Sequence, residues 1–269
     1  MDLTYIMPVR IESEDRLKNV ITSVSYLLNK IPEAKVLVKE VDTKSVFKFR
    51  ALPEIKKRVK DISNLRHIFE ENSSNLFHKT RILNDLILEA DTKVICSHDV
   101  DVVYHEESHR TAYKTIINNE CQVVYPYGCG VFQYQVDYPM DLFEKFTTQG
   151  YDLLDLMENC RRESSTIGWT QFYSKDAVIN GGMWNEEFIS WGAEDCEFFF
   201  RFNALGYGVG RINGAIWHFE HGRTHNSHYH NPKFRENHEL WQKIRNMNRN
   251  EIISYYQNCE YLRKRHASF

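Results

Sequence analysis

Short apolar runs alternate with amphipathic stretches along the first hundred residues. Leu3–Val9 is an apolar run of strand length, and from Ser13, a favourable N-cap, apolar residues recur on one helical face. A second helical face occupies residues 82–90, while residues 44–60 are basic and ambiguous. Further strand-length runs lie at 35–41, 65–69 and 93–98. This alternation predicts an α/β fold, with a mostly parallel sheet covered by helices on both faces.

The second half of the chain is less regular. Residues 137–160 suit either a helix or a mobile lid, and Gly206 is a stop signal for the helix before it. The predicted elements are strands at 121–127 and 215–219, a helix at Glu194–Leu205, and a polar helix from Arg235 to a basic end at 263–265. No internal repeat, low-complexity tract or linker requires a second domain.

The composition is that of an ordinary globular protein, with 269 residues, 42% hydrophobic and 26% charged. A net charge of −3 gives no electrostatic footprint for nucleic acid. No apolar run approaches the roughly 20 residues of a membrane span, so any membrane contact is expected to be peripheral. The basic end at 263–265 is one candidate surface, although a solvated helix end explains it more simply. The chain start lacks the features of a secretory signal, and the six cysteines include no CxxC pair, which together predict a cytoplasmic protein.

Two aspartates, Asp99 and Asp101, directly follow the strand-like run that ends at His98. A strand that ends in two carboxylates directs them to the carboxyl edge of the sheet, where ligands of open α/β folds bind. Two hard oxygen donors at that edge suit Mg²⁺ or Mn²⁺ holding a diphosphate. A solvated turn is the alternative, since looser acidic pairs occur at 40–42 and 195–197.

The segment Trp191-Gly192-Ala193-Glu194-Asp195 is a second candidate for chemistry. It places two adjacent carboxylates at the start of a helix, whose positive end keeps at least one of them ionised. An ionised carboxylate can take a proton from an attacking hydroxyl, and a tryptophan face can stack on a sugar ring. Alternatively, Trp191 belongs to the core and the two carboxylates only cap the helix.

A histidine-rich stretch begins at His218-Phe219-Glu220-His221 and continues with histidines at 225, 228 and 230. Imidazole nitrogens bind divalent metals, and a mixed shell of carboxylate and imidazole suits Mn²⁺. The three later histidines fit a solvated loop. A zinc site built only from histidines is the rival interpretation.

Three residues at the ends of the first two strands are candidates for nucleotide contacts. Pro8 and Arg10 close the first strand and Asp42 follows the second, where a nucleotide lies in this kind of sheet. Arg10 could contact a base or phosphate, and Asp42 could hydrogen-bond a nucleobase or ribose hydroxyl. Arg10 and Asp42 are explained equally well as ordinary surface charges.

Taken together, these segments resemble the glycosyltransferases of the GT-A fold, in particular the β-1,4-galactosyltransferase type and a related bacterial family of inverting transferases. The resemblance spans most of the chain in the family's order. The matching segments are Met7–Arg10, His78–Asn84, His98–Asp101, Gly181–Phe188, Trp191–Asp195 and His218–His221. It implies a Rossmann-like GT-A domain over 1–234, with a nucleotide-binding half at 1–105, an acceptor-binding half at 106–234, and a helical extension at 235–269.

The resemblance also implies a metal and a donor site. Asp101 and His221 match metal ligands for Mn²⁺ or Mg²⁺, and His218 falls where the galactosyltransferases use a methionine ligand. Asp99 would face the donor's ribose or the waters of the metal. The remaining donor-binding residues implied by the resemblance are Pro8, Arg10, Asp42 and Arg81.

On the acceptor side, the resemblance implies that Asp195 is the catalytic base. Glu194 matches a carboxylate that binds the acceptor, and Trp191 matches an aromatic wall of the acceptor site. The Glu-Asp pair, in place of the Glu-Asn pair of some retaining relatives, favours inversion at the anomeric carbon.

The resulting prediction is an inverting, metal-dependent glycosyltransferase that moves a hexose or N-acetylhexosamine from a UDP-sugar to a saccharide or lipid-linked saccharide in surface-glycan synthesis. UDP-galactose and UDP-N-acetylgalactosamine lead as donors, ahead of UDP-N-acetylglucosamine and UDP-glucose. Residues 138–167, which depart from the mammalian-type pattern, would form a lid on the acceptor side. Two alternatives stay open: a two-metal phosphoesterase, and a sugar-binding protein that keeps the fold without the chemistry.

Overall fold

The computed structural model of the protein describes residues 1–162 and 166–265, whose strands form two sheets. The strands are β1 (Leu3–Val9), β2 (Lys35–Asp42), β3 (Leu65–Glu71), β4 (Val94–His98), β5 (Val102–Tyr104), β6 (Val123–Tyr125), β7 (Gln133–Val136), β8 (Cys160–Arg162), β9 (Thr170–Ser174), β10 (Val209–Arg211) and β11 (Ile216–Phe219). The larger sheet has the order β10-β6-β9-β4-β1-β2-β3. The smaller sheet has the order β5-β11-β7-β8.

Parallel pairing dominates the larger sheet. β1 runs parallel to β2 and β4, β2 to β3, and β10 to β6, whereas β9 runs antiparallel to both β4 and β6. All seven residues of β1 are buried, as expected for a central parallel strand with helices over the sheet. The prediction of a mixed, mostly parallel α/β sheet flanked by helices is confirmed.

Helices link the strands and flank the sheets. Within the described residues they are α1 (Glu14–Lys30), α2 (Leu52–Arg58), α3 (Lys79–Glu89), α4 (Glu106–Ile117), α5 (Met140–Thr148), α6 (Lys175–Asn180), α7 (Glu194–Leu205), α8 (Phe234–Arg245), α9 (Arg249–Gln257) and α10 (Glu260–Lys264). Ser13 caps α1 as predicted, since its Oγ accepts from the Arg16 backbone N–H at 3.2 Å. None of the helices in the described ranges combines the length and apolar character needed to cross a bilayer.

Two ambiguous stretches of the sequence have regular structure. Residues 44–60 contain a π-helical turn, Phe47–Ala51, that continues directly into α2. Residues 137–160 form α5, a 3₁₀ helix at Leu153–Asn159, and the start of β8. The predicted lid at 138–167 therefore begins with regular helices, and its residues 163–165 lie outside the described part of the chain.

The described residues from 234 to 265 contain three helices, where the sequence predicted one polar helix from Arg235. Asn248 caps α9 in a reciprocal capping box with Glu251, which ends the run from α8. α8 and α9 both pack on α7. Arg265 forms ion pairs with Asp85 of α3, at 2.8 Å, and with Glu186. This residue of the basic end therefore packs against the rest of the protein. Residues 266–269 lie outside the described part.

The two sheets meet at the loop that joins β4 to β5. The Asp99 backbone N–H donates to the Trp169 carbonyl at 2.9 Å, and the Phe219 N–H donates to the Asp101 carbonyl at 2.7 Å. β11 pairs antiparallel with β5, with His218 opposite Val102. This register brings the histidine-rich segment onto the two aspartates, although it lies in the other half of the sequence.

Candidate active site and metal centre

A cavity of about 380 Å³ collects most of the candidate residues. Its walls come from the end of β1, the β4–β5 loop, β7, the segment before α7, and the residues after β11. The predicted site residues that line it are Pro8, Asp99, Asp101, Trp191, Glu194, Asp195, His218 and His221. The structure therefore brings together all of the proposed metal, base and acceptor residues, but not all of the donor residues.

Asp101, His218 and His221 form one compact group. The Asp101 Oδ2 atom lies 3.1 Å from His221 Nε2, and its Oδ1 atom lies 3.6 Å from His218 Nε2. One ligand atom from each residue lies within 4.8 Å of the others, as a shared metal ion requires. Asp101 Oδ1 is buried without a hydrogen-bond partner among the described residues. A carboxylate and two imidazoles suit Mn²⁺, so the residues present fit a divalent metal.

The charges in this group favour a cation. Although burial disfavours its ionised form, the imidazoles of His218 and His221 hold the pKa of Asp101 well below its ordinary value. Burial lowers the pKa of His218. For His221 burial acts in the same direction, but the hydrogen bond with Asp101 raises its pKa overall. The group therefore holds an ionised carboxylate that needs positive charge from a proton or a metal.

The tautomer of His221 is fixed by the main chain. Its Nδ1 atom lies 3.0 Å from the carbonyl oxygen of Gly222, and a carbonyl only accepts, so Nδ1 carries the hydrogen. In the neutral ring, Nε2 then presents a lone pair towards Asp101. This is the arrangement that a metal-binding histidine needs.

The acidic wall of the cavity is built on a strained turn before α7. Ser190 and Ala193 have φ angles of 62° and 67°, which residues with a side chain rarely adopt, and Gly192 between them has a φ of 127°. The Gly192 N–H donates to Glu194 Oε2 at 3.1 Å. Burial and the neighbouring Asp195 carboxylate raise the pKa of Glu194 to about 7. The turn thus holds one carboxylate in a fixed position beside the other.

Asp195 has an unused acceptor atom in the cavity. Its Oδ1 atom is buried and has no hydrogen-bond partner among residues 1–162 and 166–265. Gly168 lies against the same carboxylate, and a Cβ atom at position 168 would collide with it. A buried carboxylate oxygen without a donor can receive a proton from a bound hydroxyl group.

Lys79, the first residue of α3, was not selected from the sequence. Its Nζ lies 3.1 Å from Asp99 Oδ1 and 3.9 Å from Glu194 Oε1, and it lines the cavity. Burial works against its charge, but the carboxylates of Asp195, Asp99 and Glu194 raise the pKa of Lys79 well above its ordinary value. Burial, opposed by Lys79, raises the pKa of Asp99 to about 6. The lysine therefore joins the two acidic motifs of the sequence.

Arg81, two residues later, turns away from the cavity. Its guanidinium pairs with Glu70 at 2.5 Å and with Asp85 at 3.3 Å. The segment His78–Asn84 contained the signal for Lys79. The sequence could not show which of its two cations faces the cavity, because that depends on where α3 begins.

Arg10 and Asp42 also do not line the cavity. The Arg10 Nε donates to the Val41 carbonyl at 3.0 Å, and its guanidinium lies over the Phe77 ring at 5.6 Å. Asp42 Oδ1 accepts from the Thr43 N–H at 2.7 Å, a turn contact at the end of β2. Their predicted contacts with a nucleotide, like that of Arg81, remain predictions without support from the cavity.

The later histidines do not join the metal group. His225 Nε2 lies 2.6 Å from the Asn75 carbonyl oxygen, while His228 and His230 contact each other and Tyr229. The metal-capable group of the described residues consists of Asp101, His218 and His221, and therefore includes a carboxylate. A zinc site made only of histidines receives no support from it.

The aromatic side of the cavity is formed by two tryptophans. Trp191 stacks on Phe234 of α8, with ring centroids 5.5 Å apart and planes at 17°. Trp169 stacks on His218, with centroids 5.1 Å apart and planes at 23°. Both tryptophans line the cavity and are half-buried, so each keeps a face that a sugar can contact.

Neither a protein-family model nor a curated protein sequence matches the chain. Solved structures do match it. Mannosyltransferase PcManGT from Pyrobaculum calidifontis, in complex with GDP-Man and Mn²⁺, aligns with a TM-score of 0.58 and 13% identity over 96% of this chain and 70% of its own. S. aureus TarS 1–349 in complex with UDP-GlcNAc aligns with a TM-score of 0.56 and 14% identity over 96% of this chain and 72% of its own.

Other alignments cover less of the matched proteins. The chain spans 60% of S. aureus TarS 1–349 in one alignment, with a TM-score of 0.51 and 16% identity over 81% of this chain. It spans only 37% of another S. aureus TarS chain, with a TM-score of 0.52 and 14% identity over 82% of this chain. At these identities the comparisons establish the fold. Together with the strand order they show that this chain has the GT-A fold of nucleotide-sugar-dependent glycosyltransferases.

Proposed function

We propose that this protein is an inverting glycosyltransferase that depends on a divalent metal and uses a nucleotide sugar. The observation that carries the proposal is the convergence of two sets of residues in one cavity. Asp101, His218 and His221 form a metal-capable group, and Asp195 has an unused carboxylate oxygen lining the same cavity. Transfer of a sugar from a diphosphate needs both functions next to each other.

In the proposed reaction, an acceptor hydroxyl attacks the anomeric carbon while Asp195 takes its proton. The new bond from the acceptor oxygen forms as the bond to the leaving diphosphate breaks, which inverts the anomeric centre in one displacement. A divalent cation held by Asp101, His218 and His221 would supply positive charge for the leaving diphosphate. The diphosphate leaves with the electron pair of the broken bond.

The other residues of the cavity have supporting roles in this proposal. Lys79 holds Asp99 and Glu194 in place, so that their carboxylates can accept hydrogen bonds from sugar hydroxyls. Trp191 offers a stacked aromatic face on the acceptor side. Pro8 closes the cavity at the end of β1, where the nucleotide would lie.

For the donor, a UDP-sugar of the galactose type is the first choice on the sequence resemblance. The structural neighbours add GDP-mannose as a candidate, because PcManGT is in complex with GDP-Man, and they support UDP-N-acetylglucosamine, because TarS 1–349 is in complex with UDP-GlcNAc. The acceptor is proposed to be a saccharide or lipid-linked saccharide, which would bring the protein into peripheral contact with a membrane.

The two alternative functions have less support. A two-metal phosphoesterase needs carboxylates that bridge two ions. Asp99, the other carboxylate of the β4–β5 loop, is instead paired with Lys79 at 3.1 Å. A sugar-binding protein without chemistry could use the free Asp195 oxygen as a hydrogen-bond acceptor, but it does not need a metal-capable group in the same cavity.

A screen of nucleotide sugars by thermal unfolding tests the proposal. With Mn²⁺ present, one donor at a concentration of 100 Kd is expected to raise Tm by about 5–10 °C, because it binds only the folded protein. The shift is expected to vanish in EDTA. That donor should then release a nucleoside diphosphate in the presence of a sugar acceptor. Release of phosphate from a phosphate ester, or no stabilisation by any donor, would overturn the proposal.

A further inference from the structure

Gln135 contacts the metal-capable group from the second sheet. It lies opposite His218 in the parallel pairing of β7 with β11, and its amide nitrogen lies 2.7 Å from His218 Nδ1. Its side chain is buried and lines the cavity. With Trp169 stacked on one face of the imidazole, the His218 ring is held both in its plane and at its Nδ1 end.

Which end of the Gln135 amide faces His218 determines whether His218 Nε2 carries a hydrogen or a lone pair. A neutral imidazole carries one hydrogen, on either Nδ1 or Nε2. If Gln135 donates its N–H to Nδ1, the hydrogen must be on Nε2, which then points an N–H at Asp101 Oδ1 and cannot bind a metal. If Gln135 instead presents its carbonyl oxygen, Nδ1 carries the hydrogen and Nε2 offers a lone pair. A half-turn of the amide exchanges the two states.

The other histidine of the group has no such choice. His221 Nδ1 donates to a main-chain carbonyl, that of Gly222, so whenever the ring is neutral its lone pair is on Nε2, the atom that faces Asp101. The group therefore contains one imidazole whose neutral tautomer is fixed by the main chain and one whose tautomer depends on a side-chain amide.

We propose that Gln135 is a positioning residue that makes His218 a metal ligand by turning its Oε1 atom to the Nδ1 hydrogen, and so sets the selectivity of the site for Mn²⁺ over Mg²⁺. The inference rests on the metal centre of the proposed function. Its physical basis is that a second imidazole nitrogen favours Mn²⁺, whereas Mg²⁺ prefers oxygen ligands. Partners of this kind orient ligand histidines in many metal sites.

The test measures Mn²⁺ and Mg²⁺ affinity of the purified protein without substrate, by titration calorimetry and by the Mn²⁺ EPR signal. Gln135→Leu removes the acceptor and is expected to lower Mn²⁺ affinity by about 10–100-fold and Mg²⁺ affinity by much less. Gln135→Glu, which can only accept, is expected to keep Mn²⁺ affinity at or above that of the wild type. In a His218→Ala background, Gln135→Leu should change Mn²⁺ affinity by less than about twofold, because it acts through His218.

Gln133→Leu is the matched control. Gln133 is a buried residue of the same strand whose amide donates to the Gly128 and Thr166 carbonyls and not to a residue of the metal-capable group. It should leave Mn²⁺ affinity unchanged, and metal-free Tm values report any general damage in each variant. Unchanged Mn²⁺ affinity in Gln135→Leu, or an equal loss with and without His218, would overturn this inference alone. Failure of the wild type to bind Mn²⁺ would instead overturn the proposed metal centre, and this inference with it.

Discussion

At the scale of single residues, the Lys79 ammonium group offsets the negative charge of the carboxylates in the cavity. Two acidic motifs far apart in the sequence, one ending β4 and one starting α7, meet at its ammonium group. Without a cation between them, Asp99 and Glu194 would repel each other in a buried place. The lysine is therefore expected to matter for stability as well as for the arrangement of the site.

Replacing Lys79 by Met is expected to lower the free energy of unfolding by about 1–3 kcal/mol at pH 8. The pKa values of Asp99 and Glu194 are already raised, to about 6 and about 7, and would rise further. The folded variant then binds more protons than the unfolded chain, so its stability falls as pH rises. Urea unfolding at pH 5 and pH 8 measures the difference.

Lys35→Met is the control, because Lys35 forms an exposed pair with Asp91. The control should lower the free energy of unfolding much less than Lys79→Met does at pH 8, and by a similar small amount at either pH. A Lys79→Met variant that loses no more than this control, or loses more at pH 5 than at pH 8, would contradict the role given to Lys79.

The sequence located the site better than it assigned individual charges within it. Asp101 and Asp195 were recognisable because each follows a strong local signal, a strand end or a helix start. His218 and His221 stood out by residue type. Lys79 did not, because the matched segment His78–Asn84 contains two cations and the partners that distinguish them come from elsewhere in the fold.

At the scale of elements, α7 is held by a fully buried ion pair. Glu197 and Arg201 lie one turn apart, 2.7 Å between Oε1 and Nε, with side chains 1% and 0% exposed. Arg201 also donates to the Gly181 and Met183 carbonyls, and the Tyr256 hydroxyl donates to Glu197. The helix that starts with the acidic motif is thereby fixed to the Gly181-Gly182 turn and to α9.

Arg201→Met is expected to lower the free energy of unfolding by about 3–5 kcal/mol, because it leaves the Glu197 carboxylate buried without its cation. The matched control is Arg235→Met, which removes an exposed pair with Glu239 at the same helical spacing. That change should leave the free energy of unfolding nearly unchanged, because the pair is exposed to solvent. Similar losses for the two variants in urea unfolding would show that burial of the pair does not matter.

Long elements were predictable from their periodicity, whereas only some of the short strands were. β1 has the predicted bounds, and α1 begins after the predicted cap, because both have strong patterns over seven or more residues. β6 and β11 lie inside predicted apolar runs, but β5, β8 and β10, with three residues each, were not predicted. They exist because neighbouring strands supply hydrogen bonds, which the local sequence does not reveal.

At the scale of the whole molecule, the site depends on how two sheets are joined. The strand β9 enters antiparallel between β4 and β6, and β11 pairs with both β5 and β7. Because of these long-range pairings, the second half of the chain lies at the carboxyl edge of the parallel strands that the first half forms. Alternating strands and helices predicted the parallel half of this arrangement, whereas the convergence of the halves followed only from the resemblance to GT-A enzymes.

The most direct test of the account compares sugar transfer with donor affinity in wild type, Asp195→Asn and Asp101→Asn. Asp195→Asn is expected to lower transfer by about 10²–10⁴-fold while donor affinity with Mn²⁺ stays within about threefold, because the base acts only in the chemical step. Asp101→Asn is expected to lose the Mn²⁺-dependent part of donor affinity. Near-normal transfer by Asp195→Asn, or unchanged Mn²⁺ dependence in Asp101→Asn, would contradict the account.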